Sequence, residues 1–170
     1  MTMNCFVIPS QAETRTEPFA EGVIRLDLPS DWRRNPLNQD VSVLLYNDSF
    51  NGAPLALAIH YIGFDENFDI AAPVRAEEYA QTKRQWLANQ KGREILMYPY
   101  EGLALKSEGQ TVYSLGVRYV LQNTEFDERA YFIKCQGHIF FAGGLMNAAQ
   151  RKNKALTVFE NAMRSFTCAM

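Results

Sequence analysis

Cysteine is scarce in this chain: three in 170 residues, at Cys5, Cys135 and Cys168. An odd number without close spacing is neither a disulfide framework nor a zinc ligand set, and it fits a reducing compartment. Neither sign of charge dominates. The net charge is −2 and the pI about 5.7, so no basic surface invites nucleic acid or an anionic membrane. No apolar run approaches the roughly 18 residues of a membrane span. Cys5-Phe6-Val7-Ile8 is too short for the apolar core of a secretory leader, and no basic segment precedes it. A cytoplasmic protein is expected, or a periplasmic one whose leader has been removed. Histidine is limited to His60 and His138. No Gly-x-Ser-x-Gly, phosphate loop, His-Glu-x-x-His or dinucleotide fingerprint occurs. An enzyme is not expected, nor any cofactor or metal.

What is present is an ordinary globular composition, 47% apolar and 21% charged, of a length suited to one domain. Residues 1–20 read as a polar, flexible leader, and 21–170 as the folded domain. Alternating or β-branched runs predict strands over 22–28, 41–46 and 55–62. Turn residues Asn35-Pro36 and Asn38, and then Asn47-Asp48 and Asn51-Gly52, separate them. In the third strand Leu55, Leu57, Ile59 and Tyr61 fall on one face, and Ala56, Ala58 and His60 on the other. A helix is predicted over 75–90, with Pro73 before it, Glu77 and Glu78 in its first turn and Gly92 as its C-cap. Short strands follow over 94–98, 102–106, 111–121, 129–135 and 138–145. Glu108-Gly109 and Gln136-Gly137 are the tight hairpin turns. A last helix is predicted over 147–164, with Leu156, Phe159, Met163 and Phe166 in one stripe. Strands in runs rather than alternating with helices predict an α+β fold, a single α/β sandwich whose central antiparallel sheet is covered by helices. Trp32, Tyr79, Trp86, Phe132, Phe159 and Phe166 are the expected aromatic core.

Three local patterns could carry chemistry. Asp65-Glu66-Asn67-Phe68-Asp69 opens like a calcium loop. It then places Ile70 where glycine must turn the chain and Ala76 where a bidentate glutamate belongs. Cys135 and His138 flank a two-residue turn, which makes them cross-strand neighbours and a candidate thiolate pair. A metal there would need a further ligand. The third pattern is a surface. Ala56, Ala58 and His60 on one strand and Ser114, Gly116 and Arg118 on another make a small-residue face opposite a bulky one. Left open, that face is a shallow trough able to take a partner's helix or peptide, with His60 and Arg118 as polar anchors.

The opening Leu28-Pro29-x-Asp31-Trp32 bears a family likeness. So do the strand pair Arg129-x-Tyr131-Phe132-Ile133 and Gly137-His138-Ile139-Phe140-Phe141, and the closing Phe159 with Ser165-Phe166. Together they resemble the PsbP-like α/β/α sandwich superfamily over residues 22–166. That superfamily includes the DcrB lipoproteins and the effector-associated chaperones of type VI secretion. The leaderless chaperones are the most similar kind. The resemblance implies a non-enzymatic protein-binding module, a chaperone or adaptor of bacterial secretion. Its partner would be an apolar segment of an exported effector, and its assembly could be a homodimer. The alternatives are an envelope accessory protein of the DcrB kind and a small-ligand binder.

Overall fold

A computed structural model describes residues 11–19, 22–35, 42–50, 53–105, 109–152 and 154–169. The turns expected at Pro36, Asn38 and Asn51-Gly52, and Glu108 of the next one, lie outside these residues. The strands are β1 (Ala12–Phe19), β2 (Gly22–Pro29), β3 (Arg33–Arg34), β4 (Ser42–Phe50), β5 (Ala53–Phe64), β6 (Arg93–Gly102), β7 (Gln110–Leu121), β8 (Thr124–Cys135), β9 (His138–Asn147) and β10 (Thr167–Ala169). The helices are α1 (Val74–Asn89), α2 (Ala148–Lys152) and α3 (Ala155–Ser165). Seven strands form one antiparallel sheet in the order β3-β4-β5-β9-β8-β7-β6, and β1-β2-β10 form a second. The fold is α+β, an α/β sandwich built on antiparallel sheets, as the runs of strands predict.

The large sheet is covered on its inner face and, at one end, on its outer face. On the inner one, α3 and the small sheet bury the main core. Trp32 meets Phe159 edge-on at 6.2 Å, and Phe140 meets Phe166 at 5.3 Å. Leu26, Leu28 and Leu57 are also buried here. Each such side chain contributes about 1.5–3 kcal/mol by leaving water. On the outer face, α1 covers only the β6–β7–β8 end, where Leu87, Val117 and Tyr119 form a second cluster.

Several expectations need correction. The second half of the expected leader is strand β1, paired with β2 from Ala12↔Pro29 to Phe19↔Gly22. Its Thr and Glu residues give it no apolar face, so the ladder to β2 rather than its own pattern fixes it. Residues 94–98 and 102–106 are not two strands. β6 is one edge strand that passes Pro99 at an irregularity of its ladder to β7, between Tyr98 and Glu101, where no amide is needed, and beyond its end Leu103 still donates its amide to the Val112 carbonyl at 2.9 Å. β8 begins at Thr124, since Gln122 and Asn123 both take positive φ and close a two-residue hairpin. The last helix is two: Lys154 at φ 72 breaks it. Lys91, at φ 56, takes the left-handed position after α1, while Gly92 donates its amide to the Leu87 carbonyl. Gly92 is small for another reason, because a Cβ there would stand 2.8 Å from Leu87. Trp86 is 37% exposed rather than core; it lies against Tyr119 and beneath the Lys83 ammonium. Tyr79 and Phe132 are half-buried, whereas Trp32, Phe159 and Phe166 are fully inside.

Candidate functional site

Cross-strand partners point to the same side of a sheet, so the register assigns every candidate residue to a face. Ala58 pairs with Gly143, Gly143 with Ala130, and Ala130 with Leu115. Ala56 pairs with Leu145, and Leu145 with Glu128. His60 pairs with Phe141, and Phe141 with Phe132. These rows are the outer face. Leu57, Gly144, Arg129 and Gly116 form a row on the opposite side. Ser114 shares that side through Tyr131, and Arg118 through Asp127. The structure therefore brings Ala56, Ala58 and His60 together and sets Ser114, Gly116 and Arg118 on the inner face. The trough expected to unite all six does not form, because the β7 residue level with Ala58 is Leu115. The order β5-β9-β8-β7 separates β5 from β7 by two strands, and parity within each strand cannot supply that relation.

A trough does exist, built partly from other residues. It is a depression of about 280 Å³ whose lining includes Ala56, Ala58, Ala130, Gly143, Phe141, Leu145 and Glu128. Small side chains make the floor. Leu145, 44% exposed, stands at its rim, and Ile62, 60% exposed, lies farther along β5 beyond His60. The signal that could have located Gly143 and Leu145 was the pair Gly143-Gly144 in an otherwise bulky strand. Gly144 is small for the inner side: a Cβ there would strike the Phe159 ring.

Glu128 closes the trough toward α1. Its two carboxylate oxygens accept hydrogen bonds from Tyr79 Oη and Lys83 Nζ, each at 2.8 Å. Burial, and then the adjacent carboxylate, push the Tyr79 phenol far above its ordinary range, so it remains a donor. On the far side of Glu128 a second depression of about 320 Å³ lies between Arg75, Glu78, Tyr79, Thr82 and Phe132. The two hollows share Glu128 and run side by side along the outer face.

Gly116 and Arg118 serve a different cluster. Arg129 crosses Gly116 to stack its guanidinium 3.6 Å over the Tyr98 ring. Tyr98 Oη donates to Asp127 Oδ2 at 2.6 Å and accepts from Arg118 Nη2 at 3.2 Å. Asp127 is almost wholly buried, and Arg118, Arg129 and Arg151 approach it at 3.6–3.9 Å. A buried carboxylate requires such compensation. The cluster ties β6, β7, β8 and α2 together.

The remaining candidates resolve plainly. In the calcium-like loop, Asp65 Oδ1 and Asp69 Oδ1 accept the backbone amides of Asn67 and Ala71. The Lys134 ammonium fills the loop, donating to the carbonyls of Glu66 at 2.6 Å and Phe68 at 2.8 Å. A fixed cation thus sits against the loop carbonyls. Among the described residues, no group of three His, Cys, Asp or Glu could hold a metal. The Gln136-Gly137 hairpin forms, and Cys135 and His138 are cross-strand partners. Cys135 is nevertheless not a thiol. It is bonded to Cys168 in β10, with the two Cα atoms 6.2 Å apart. The reading of the cysteines as unpaired is corrected: the strands carrying them meet only in the tertiary fold. His138 Nδ1 lies 3.0 Å from Tyr61 Oη.

The chain superposes on the solution structure of cyanobacterial PsbP from Synechocystis sp. PCC 6803 with a TM-score of 0.63 at 13% identity, over 99% of each chain. A crystal structure from Bacteroides thetaiotaomicron matches with a TM-score of 0.51 at 10% identity, over 86% of this chain and 45% of the other. The chain has the PsbP-like fold. No family model matches the sequence, and no curated protein does.

Proposed function

We propose that this chain is a non-enzymatic accessory protein that holds an apolar segment of another protein in the outer-face trough. One observation carries the reading. α1 covers one end of the outer face, and the neighbouring strands β9 and β5 present a small-residue floor with Leu145 exposed at its rim. Helices on one sheet face lie about 8–10 Å apart, and strands about 4.8 Å apart. The open width over β5 and β9 suits one further helix or one extended segment. Its polar anchors would be His60 and the Glu128 carboxylate. In the finer form of this proposal the protein is a chaperone or adaptor in bacterial secretion, and the segment belongs to an exported effector.

A second observation bears on where it works. The Cys135–Cys168 bond favours an oxidising compartment, and so an envelope accessory protein of the DcrB kind over a cytoplasmic one. Among the described residues no helix is long and apolar enough to cross a membrane.

The test is site-specific photo-crosslinking in the cells that make the protein. A crosslinker at Ala58 should give one stoichiometric protein adduct, and a crosslinker at Gln81 on the exposed side of α1 should not. No adduct from Ala58, or equal adducts from both positions, would overturn the trough assignment. Fractionation of the same cells locates the protein.

A further inference from the structure

Among the described residues strand β10 has three residues and lies at the edge of its sheet, paired with β2 through Thr167↔Arg25, Cys168↔Ile24 and Ala169↔Val23. An edge strand of that length has little stability of its own. The fold anchors the chain firmly up to the residues before it. Phe166 is buried against Phe140. Ser165 Oγ accepts the Asp27 amide at 2.7 Å and donates to the Ala162 carbonyl at 2.8 Å. Among the described residues beyond Phe166, the chain is held by the short ladder to β2, by the burial of Cys168 in the main core and by its covalent bond. The other end of that bond is rigidly placed. Cys135 lies in β8, between Gln110 of β7 and His138 of β9, just before a tight turn.

We propose that the Cys135–Cys168 disulfide is a redox latch on β10: oxidised, it clamps the C-terminal strand over the edge of β2; reduced, it lets β10 leave and bares that edge. The inference is independent of the trough. The bond joins a central strand of the large sheet to the most weakly held strand of the small one, so breaking it acts first on β10. In the closed state the sulfurs are shielded, with Cys135 3% and Cys168 9% exposed. A reductant reaches them when β10 frays. A dithiol supplies the electrons. One of its thiolates attacks one protein sulfur, breaking the Cys135–Cys168 bond and releasing the other cysteine as a thiolate; its second thiolate then attacks its own sulfur of the mixed disulfide and releases the second cysteine, and the two protons of the dithiol pass to the two protein thiolates. The products are two protonated protein cysteines and the oxidised cyclic dithiol. Once open, β2 presents the Val23–Arg25 backbone groups that β10 had covered, an unpaired edge of the kind that accepts an extended strand.

Hydrogen exchange of the full chain, read at short labelling times with and without dithiothreitol, tests this. Amides of Val23, Arg25, Thr167 and Ala169, which point across the β2–β10 ladder, should label about tenfold faster or more in dithiothreitol, as expected when a local unit opens. Amides of the β8–β9 hairpin should not change in the same window. The double variant Cys135→Ala/Cys168→Ala should show the fast pattern without reductant and ignore its addition. Unchanged labelling of β10 and β2 on reduction would overturn the latch. So would equal acceleration across the large sheet within that short window, since opening would then be global rather than confined to β10.

Discussion

Gly116 tests the assignment of faces most directly. On an open trough, Gly116→Ala would add one methyl group to a surface and change stability within about 0.5 kcal/mol. The structure demands more. A Cβ at this position would stand 3.0 Å from Arg129 Cδ and closer still to the Glu128 carbonyl oxygen of the neighbouring strand. The arginine could swing away, but only by leaving the Tyr98 ring it stacks on, a contact worth about 0.5–2 kcal/mol. The carbonyl belongs to the β7–β8 ladder and can move only by parting the strands. Overpacking of this kind costs about 1–3 kcal/mol, so the two together cost about 1.5–5 kcal/mol. For a chain of this size each kcal/mol lowers Tm by about 2–4 °C, which gives a fall of about 3–20 °C in a calorimetric scan. Ala58→Trp is the control. It enlarges a residue on the open outer face and should leave Tm within about 2 °C. A Gly116→Ala protein as stable as the parent would refute the register argument and return Gly116 to the surface.

Asp127→Ala removes the buried carboxylate shared by Arg118, Arg129 and Arg151, leaving Glu125 paired with Arg118 and Arg151; urea denaturation should show a loss of about 3–5 kcal/mol. Loss of the Cys135–Cys168 bond, which closes a sequence separation of 33 residues, should lower global stability by about 3–4 kcal/mol on the chain-entropy estimate, measured as the denaturation midpoint with and without reductant. Burial raises the Glu17 carboxyl above 4.5, outweighing the attraction of Arg34, whose Nε is 3.1 Å away, and of Arg15. The folded state therefore holds this proton more tightly than the unfolded chain, and Glu17 contributes less stability as pH rises through its raised value. Glu17→Gln should gain on the parent in Tm between about pH 4 and pH 6; the opposite trend would mean that the arginine pair prevails.

The local order of this chain was legible because short-range rules set it. Alternation in 55–62 separated Leu57 and Ile59 from Ala56 and Ala58. Gln136-Gly137 marked a hairpin, since its backbone must take positive φ. The turn at Gln122-Asn123 was less visible because the acidic run Glu125 to Glu128 hid the strand after it. The burial of Asp127 and the ion pair of Glu128 depend on arginines and a lysine from other elements, which no local window contains. β1 and β10 were hidden for a related reason, since each exists only as a partner of β2.

By itself the sequence determined the class of fold: runs of strands, few helices, and an apolar set large enough for one core around Trp32, Phe159 and Phe166. It also determined which residues of one strand share a face, because side chains alternate with a fixed period of two. Tertiary structure alone decided which strand stands beside which, and with that the face every strand presents to its neighbours. Inserting β9 and β8 between β5 and β7 put Ala58 level with Leu115 rather than Gly116. It floored the trough with Gly143 and Ala130, and left Gly116 to make room for Arg129. The same assembly brought Cys168 to Cys135. Contacts between residues far apart in sequence form only when the whole sheet closes, and the energy that selects them is shared among all its strands.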